Sequence, residues 1–221
     1  MNTKINTKRK RVKFASDNVT GACPEVLEAV IKANDGIVPP YGNDEISGVL
    51  QEKFSKIFEK DVIVYPTASG TASNALALSA ISPSFGNIYC HKFSHINVDE
   101  CGAPEFYTGG AKLVPLNGED GKITTEELKN SIGGFGIVHH TQPSIVSITQ
   151  ATETGEVYTL EQIKNISEIT HKHNLKMHMD GARFANALVS LDVSPAEMTW
   201  KSGIDILSFG ATKNGCMAAE A

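Results

Sequence analysis

Short apolar runs rich in β-branched residues alternate along this chain with longer stretches in which apolar side chains recur every three or four positions. The runs at 61–65, 87–91, 111–115, 144–149, 175–179 and 204–209 read as strands. Helical periodicity fills the intervals at 24–34, 45–58, 70–80, 124–131, 160–173 and 182–190. Strands separated by helices predict an α/β fold, a mostly parallel sheet flanked by helices, because parallel neighbours need a crossover long enough to hold a helix. Some helix ends carry their own chemistry. Thr124 with Glu127, and Thr159 with Gln162, have the spacing of a capping box, in which a hydroxyl and a side chain three residues on satisfy free amides. His171-Lys172-His173-Asn174 reads as a helix end, where cations complement the dipole and Asn can take the left-handed cap.

With 221 residues, 41% of them hydrophobic and 20% charged, the chain can bury a substantial core, and one globular domain is expected. A net charge of −5 argues against nucleic acid as a partner, since phosphate binding calls for clustered Lys and Arg. The basic run Lys8-Arg9-Lys10-Arg11-Val12-Lys13 precedes the first structural motif and reads as a solvated, flexible arm over residues 1–13. No stretch reaches the roughly 18 to 20 apolar residues that span a bilayer, and the polar N-terminus lacks the apolar core of a leader, so no membrane partner is expected. Cys23, Cys90, Cys101 and Cys216 sit far apart in a chain too long to depend on disulfides, which fits reduced thiols and a cytoplasmic location.

The chemistry concentrates late in the chain. Asp205-Ile-Leu-Ser-Phe-Gly-Ala-Thr-Lys213 places a lysine just beyond an apolar strand, about thirty residues after another strand that ends in Asp180. Such a pair suits pyridoxal phosphate: the amine forms a Schiff base with the cofactor aldehyde, and a carboxylate facing the pyridine nitrogen keeps it protonated so that the ring accepts electrons. Both residues should project at the carboxyl ends of the strands, where ligands of open α/β sheets gather. Taken alone, Asp180 reads first as the cap of the next helix.

Ser69, Gly70 and Thr71 join a strand to a helix, so free amides and two hydroxyls can hold a phosphate dianion there; a plain strand-helix turn has the same sequence. Arg183, one turn past Asp180, suits an anionic substrate group or a cofactor oxygen, or else an ordinary surface. His95 reads as a ring stacked on a planar cofactor, as an acid/base group, or as a partly buried loop histidine. His139 and His140 precede a strand, on which one of the pair would face the ligand edge; either can be structural. Ser16 lies in a polar segment whose hydroxyls can reach a carboxylate, and Tyr41 comes after Pro39-Pro40 in a rigid loop with no role legible locally. Cys90, His91, His95 and Cys101 resemble a metal cluster, but adjacent strand residues face opposite sides and there is no C-x-x-C, so no metal site is expected.

In order, Ser16-Asp17-Asn18-Val19-Thr20, Tyr41-Gly42, Ser69-Gly70-Thr71-Ala72-Ser73-Asn74, Ser94-His95, His178-Met179-Asp180-Gly181-Ala182-Arg183 and Ser208-Phe209-Gly210-Ala211-Thr212-Lys213 resemble the low-specificity L-threonine aldolases, within the β-eliminating lyase group of fold-type I pyridoxal phosphate enzymes. The resemblance runs from about Phe14 onward. It implies that Lys213 carries the cofactor, Asp180 pairs with the pyridinium, His95 stacks on the ring, and Ser69, Gly70 and Thr71 hold the phosphate. Ser16 and Arg183 match residues that hold the substrate carboxylate or the cofactor oxygen, with Tyr41 among the substrate-binding positions, and His139 matches a histidine near the substrate hydroxyl. His95, His139 or a water held by them is then the base for that hydroxyl. The resemblance also implies a small-molecule amino acid substrate cleaved to glycine and an aldehyde, and a homodimer or homotetramer. Residues 14–221 would be the large, cofactor-binding domain; the family's smaller C-terminal domain is not contained in this sequence. Thr149-Gln150 stands where many relatives carry Glu-Asn. The same Lys and Asp also suit another fold-type I lyase or a racemase, since they set the cofactor and not the bond broken, and a non-catalytic fragment is the reading from outside the enzymes.

Overall fold

Parallel pairing joins β1 (Gly86–His91), β2 (Lys112–Leu116), β3 (Gln142–Thr149), β4 (Lys176–Gly181) and β5 (Ile206–Phe209) into one sheet, in the order β2-β1-β3-β4-β5. The computed structural model describes residues 15–19 and 21–221; the arm expected over 1–13 and Thr20 fall outside the described residues. Helices α1 (Pro24–Ala33), α2 (Glu45–Ile57) and α3 (Gly70–Ile81) precede β1, and the short α4 (His95–Val98) and α5 (Ala103–Tyr107) come after it. The later crossovers hold α6 (Thr125–Ser131), α7 (Leu160–Lys172), and α8 (Phe184–Leu191) with α9 (Pro195–Met198). The expected α/β architecture is the observed one. Among the described residues no helix is long and apolar enough to cross a membrane.

One expected strand is not there. The segment 61–65 has no regular structure and joins no ladder, and α2 side chains take two of its amides: Val62 N–H donates to Ser55 Oγ (3.2 Å) and Val64 N–H to Gln51 Oε1 (3.0 Å). The capping boxes also divide. Thr159 and Gln162 satisfy each other's amides reciprocally (2.9 and 3.2 Å), whereas Thr124 Oγ1 accepts from Glu127 N–H but Glu127 Oε1 turns to the amide of Asn117. Asn174 takes the left-handed conformation after α7, at φ 58°.

Strand alternation gives each face of the sheet its own chemistry. Tyr89, Val146, Ile148, Met177 and Met179 point into the main core with Leu128 of α6, Ile163 and Ile166 of α7 and Phe184 of α8. The opposite face carries Ile88, Cys90 and Ile145 against Leu78 of α3. Toward the carboxyl ends of β3, β4 and β5 this second face turns polar, with Ser147, Thr149, His178, Asp180 and Ser208 all buried. His178 lies between Ser147 Oγ (2.8 Å) and Ser208 Oγ (2.9 Å), and burial pushes its pKa down to about 4 against the opposing pull of Asp180. A neutral imidazole donates from one ring nitrogen and accepts at the other, and each serine hydroxyl can take the complementary role, so both ring nitrogens are satisfied with the ring uncharged. A buried polar stripe of this kind floors a site.

Candidate active site

The carboxyl ends of the strands and the start of α3 enclose a cavity of about 540 Å³. Eight residues singled out from the sequence line it: Ser16, Ser69, Gly70, Thr71, His95, Asp180, Arg183 and Lys213. They reach it because the sheet is parallel, so every strand points its carboxyl end, and the first residues beyond that end, at the same edge. Asp180 is the penultimate residue of β4, Lys213 lies four residues past β5, and His95 opens α4 beyond β1.

Asp180 is 4% exposed, and its carboxylate accepts from Ala182 N–H (2.9 Å, Oδ1) and Asn74 Nδ2 (2.9 Å, Oδ2). Asp180 is not the cap of the next helix: α8 starts at Phe184 after Arg183, with no side-chain cap, and the two Asp180 oxygens are bonded to the Ala182 amide and to a side chain of α3. At the start of that helix Ser69 Oγ accepts from Ala72 N–H (3.2 Å), leaving the amides of Gly70 and Thr71 with no acceptor among the described residues. Free amides at a helix N-terminus attract anions. The carboxylate of Glu220 already stands beside Gly70, its Oε2 3.8 Å from where a Cβ would lie.

Lys213 Nζ is 3.9 Å from Asp17 Oδ1, and Arg183 Nε donates to Asp17 Oδ2. Burial raises the pKa of Asp17, but the Arg183 hydrogen bond and the charges of Arg183 and Lys213 together outweigh it and hold the carboxyl below its ordinary value. The cavity thus holds two cations, Arg183 and Lys213, both against Asp17, as well as the acceptor Asp180. His95 donates its backbone N–H to Glu153 Oε1 (2.8 Å), and its Nδ1 is 2.8 Å from Glu100 Oε1. That bond to Glu100 raises the His95 pKa above its ordinary value; burial opposes it, the charges of Glu100 and Asp180 add to it and Lys213 subtracts.

Two expected site residues are elsewhere. His139 lies in a turn before β3 begins at Gln142, and in a parallel strand that is the amino edge of the sheet, opposite the edge where Asp180 projects. The expectation that His139 or His140 faces the ligand edge is corrected by the direction of the strand. Tyr41 is 97% exposed in the loop between α1 and α2 and does not line the cavity; neither helix buries a residue that would anchor that loop. In the group that resembled a metal cluster, Cys90 is fully buried, with its thiol pushed up to about 11 by burial, and His91 engages Gly118 O and Phe93 N–H through its two ring nitrogens.

The structure adds residues that sequence reading did not assign. Asn74, Glu153 and Asp17 line the cavity, and Glu100 lies behind His95. A buried asparagine in the small apolar run Ala72-Ser73-Asn74-Ala75-Leu76-Ala77 was a legible signal. Glu100, between Asp99 and Cys101, reads as any surface acid and offered none.

Comparison with known proteins agrees with this geometry. The chain is 45% identical to a low specificity L-threonine aldolase from a Pseudomonas species and 43% identical to one from Pseudomonas aeruginosa, each over 94% of this chain and 60% of the relative. A solved threonine aldolase of Leishmania major superposes with a TM-score of 0.86 at 27% identity, covering 93% of this chain and 60% of that one. The chain thus spans 60% of the length of these relatives. From residue 13 to 221 it matches the Beta-eliminating lyase model, a span that includes every element lining the cavity, and the chain belongs to the beta-eliminating lyases.

Proposed function

We propose that the cavity binds pyridoxal 5'-phosphate and that residues 14–221 are the large, cofactor-binding domain of a low-specificity threonine aldolase, which cleaves L-threonine, L-allo-threonine and related β-hydroxy amino acids to glycine and an aldehyde. The observation that carries this reading is the convergence on one cavity of Lys213, Asp180 and the free amides of Gly70 and Thr71. The donor set fits the group: an amine for its aldehyde, a buried acceptor for its ring nitrogen, and an anion cradle for its phosphate. The activity in the names of the Pseudomonas relatives supports the choice of bond broken.

Bound there, pyridoxal phosphate supplies an aldehyde for covalent attachment and a ring that takes up the electron pair released when the substrate Cα–Cβ bond breaks. The chain does the rest. Lys213 Nζ holds the cofactor, and Asp180 keeps a proton on the ring nitrogen by accepting its hydrogen bond. Arg183 commits Nε to Asp17, which leaves its terminal nitrogens, with Ser16 Oγ, for the substrate carboxylate. His95 Nδ1 faces Glu100, so Nε2 is the ring nitrogen available to take the β-hydroxyl proton. With His139 at the opposite edge, His95 is the histidine left for that task.

A cytoplasmic setting accords with four free thiols. Assembly into a homodimer or homotetramer is supported by the apolar surface of the N-terminal segment, where Ile31, Ile37, Val38 and Ile46 are each at least 60% exposed. Light scattering should give a multiple of the chain mass; a monomer mass for folded protein would remove the assembly from this reading. The reaction itself is tested by loading the chain with pyridoxal phosphate and adding L-threonine. Glycine and acetaldehyde should appear in equal amounts, and a loaded chain that forms neither would overturn the assignment.

A further inference from the structure

Behind His95 is a buried carboxylate to which the proposed reaction gives no task. The Glu100 side chain is 0% exposed, and its Oε1 is 2.8 Å from both His95 Nδ1 and Asn74 Nδ2. The same Asn74 nitrogen donates to Asp180 Oδ2 at 2.9 Å. An amide nitrogen has two hydrogens, so both are engaged by carboxylates and the orientation of Asn74 admits no flip. We propose that Glu100 is the positioning residue of His95, and that Asn74 ties this pair to Asp180 so that the imidazole and the pyridine partner form one connected hydrogen-bonded unit.

The physical case rests on burial and on the donor count. A carboxylate removed from water needs compensating charge and hydrogen bonds, and the His95 ring is the ionisable donor Glu100 contacts. To bond a carboxylate, Nδ1 must carry hydrogen. Nε2 is thereby fixed as the nitrogen that gains and loses the proton, on the side of the ring away from Glu100. The other charged groups facing His95 are Asp180 from β4, Glu153 beyond β3 and Lys213 beyond β5. Of these, Lys213 opposes protonation while Asp180 favours it, and Glu100 is the largest influence of all. The unit thus couples the basicity of His95 to the charge at Asp180 through a single amide. This inference rests on the pyridoxal phosphate reading for its role in catalysis, but the coupling within the protein does not.

The test is Glu100→Gln, which keeps shape and hydrogen bonding and removes the charge. In the full chain, with and without pyridoxal phosphate, the His95 imidazole is followed by NMR across pH, its resonances assigned with a His95→Asn variant. The wild-type midpoint should lie above the ordinary 6.5, as its pKa is raised in the fold, and should fall in Glu100→Gln. Because the neutral ring is the base, the acid limb of kcat/KM for threonine cleavage should move to lower pH in the variant, with kcat/KM on its plateau reduced about tenfold or more as the weaker base slows the step. Equal midpoints in the two proteins would overturn the proposal. So would a wild-type midpoint at or below 6.5, a result that needs no variant to fold. The NMR titration uses no substrate, so a chain that titrates as expected but cleaves no threonine would count against the proposed reaction and in favour of Glu100 as the positioning residue of His95.

Discussion

Lys213→Ala leaves a folded chain that neither holds pyridoxal phosphate covalently nor cleaves threonine, with activity down at least roughly 10⁴-fold, the scale on which loss of a covalent nucleophile is felt. The fold should not notice. Lys213 sits in a short turn with no buried residue, and its closest ionic partner, Asp17, is 3.9 Å away with a side chain 45% exposed. The lysine side chain is 20% exposed, and a partly exposed pair at the limit of ionic contact contributes about 1 kcal/mol or less. Activity and melting temperature should therefore separate cleanly: the first lost, the second nearly unchanged. A threonine-cleaving Lys213→Ala protein would show that another amine or a different chemistry operates.

At Asp180 two substitutions should separate charge from structure. Asp180→Asn keeps an oxygen for Ala182 N–H or Asn74 and removes the charge opposite the ring nitrogen. Losing one partner of a buried charge pair costs about 2 to 5 kcal/mol, so activity should fall roughly 30- to 5,000-fold. Asp180→Ala removes the acceptor as well. It leaves the part-buried Ala182 N–H and one of the two hydrogens of the buried Asn74 amide without an acceptor; an unsatisfied buried donor costs about 1 to 3 kcal/mol, so this variant should also melt lower. Thermal melts beside threonine assays decide the matter. Equal loss of stability in both variants, or undiminished activity in Asp180→Asn, would mean that the carboxylate serves the fold and not the cofactor.

How much of this was legible in the sequence depended on the range of the interaction involved. Asp180 and Lys213 were readable because strand ends are local features and the direction of a parallel sheet carries them to one edge. His139 shows the converse: it precedes its strand and so lies at the amino edge, and in a parallel sheet the direction of the strand decides which edge a residue joins. The segment 61–65 has strand-like alternation, yet two of its amides are claimed by Gln51 and Ser55 across a turn of chain that no local pattern records. Helices α4, α5 and α9 are four or five residues long, too short for a period of 3.6 to show. Glu100 was the least legible of all. Its role exists only where α3, α4 and β4 meet, and that meeting joins residues 74, 95, 100 and 180.

The pairing of Lys213 with the cofactor is best tested by trapping. Borohydride added to the chain with pyridoxal phosphate turns the reversible lysine link into a stable secondary amine, and peptide mass mapping then locates it. A single modified peptide containing Lys213, bleaching of the visible band, and no adduct in Lys213→Ala are the expected results. An adduct spread over surface lysines, or one that persists without Lys213, would contradict the site.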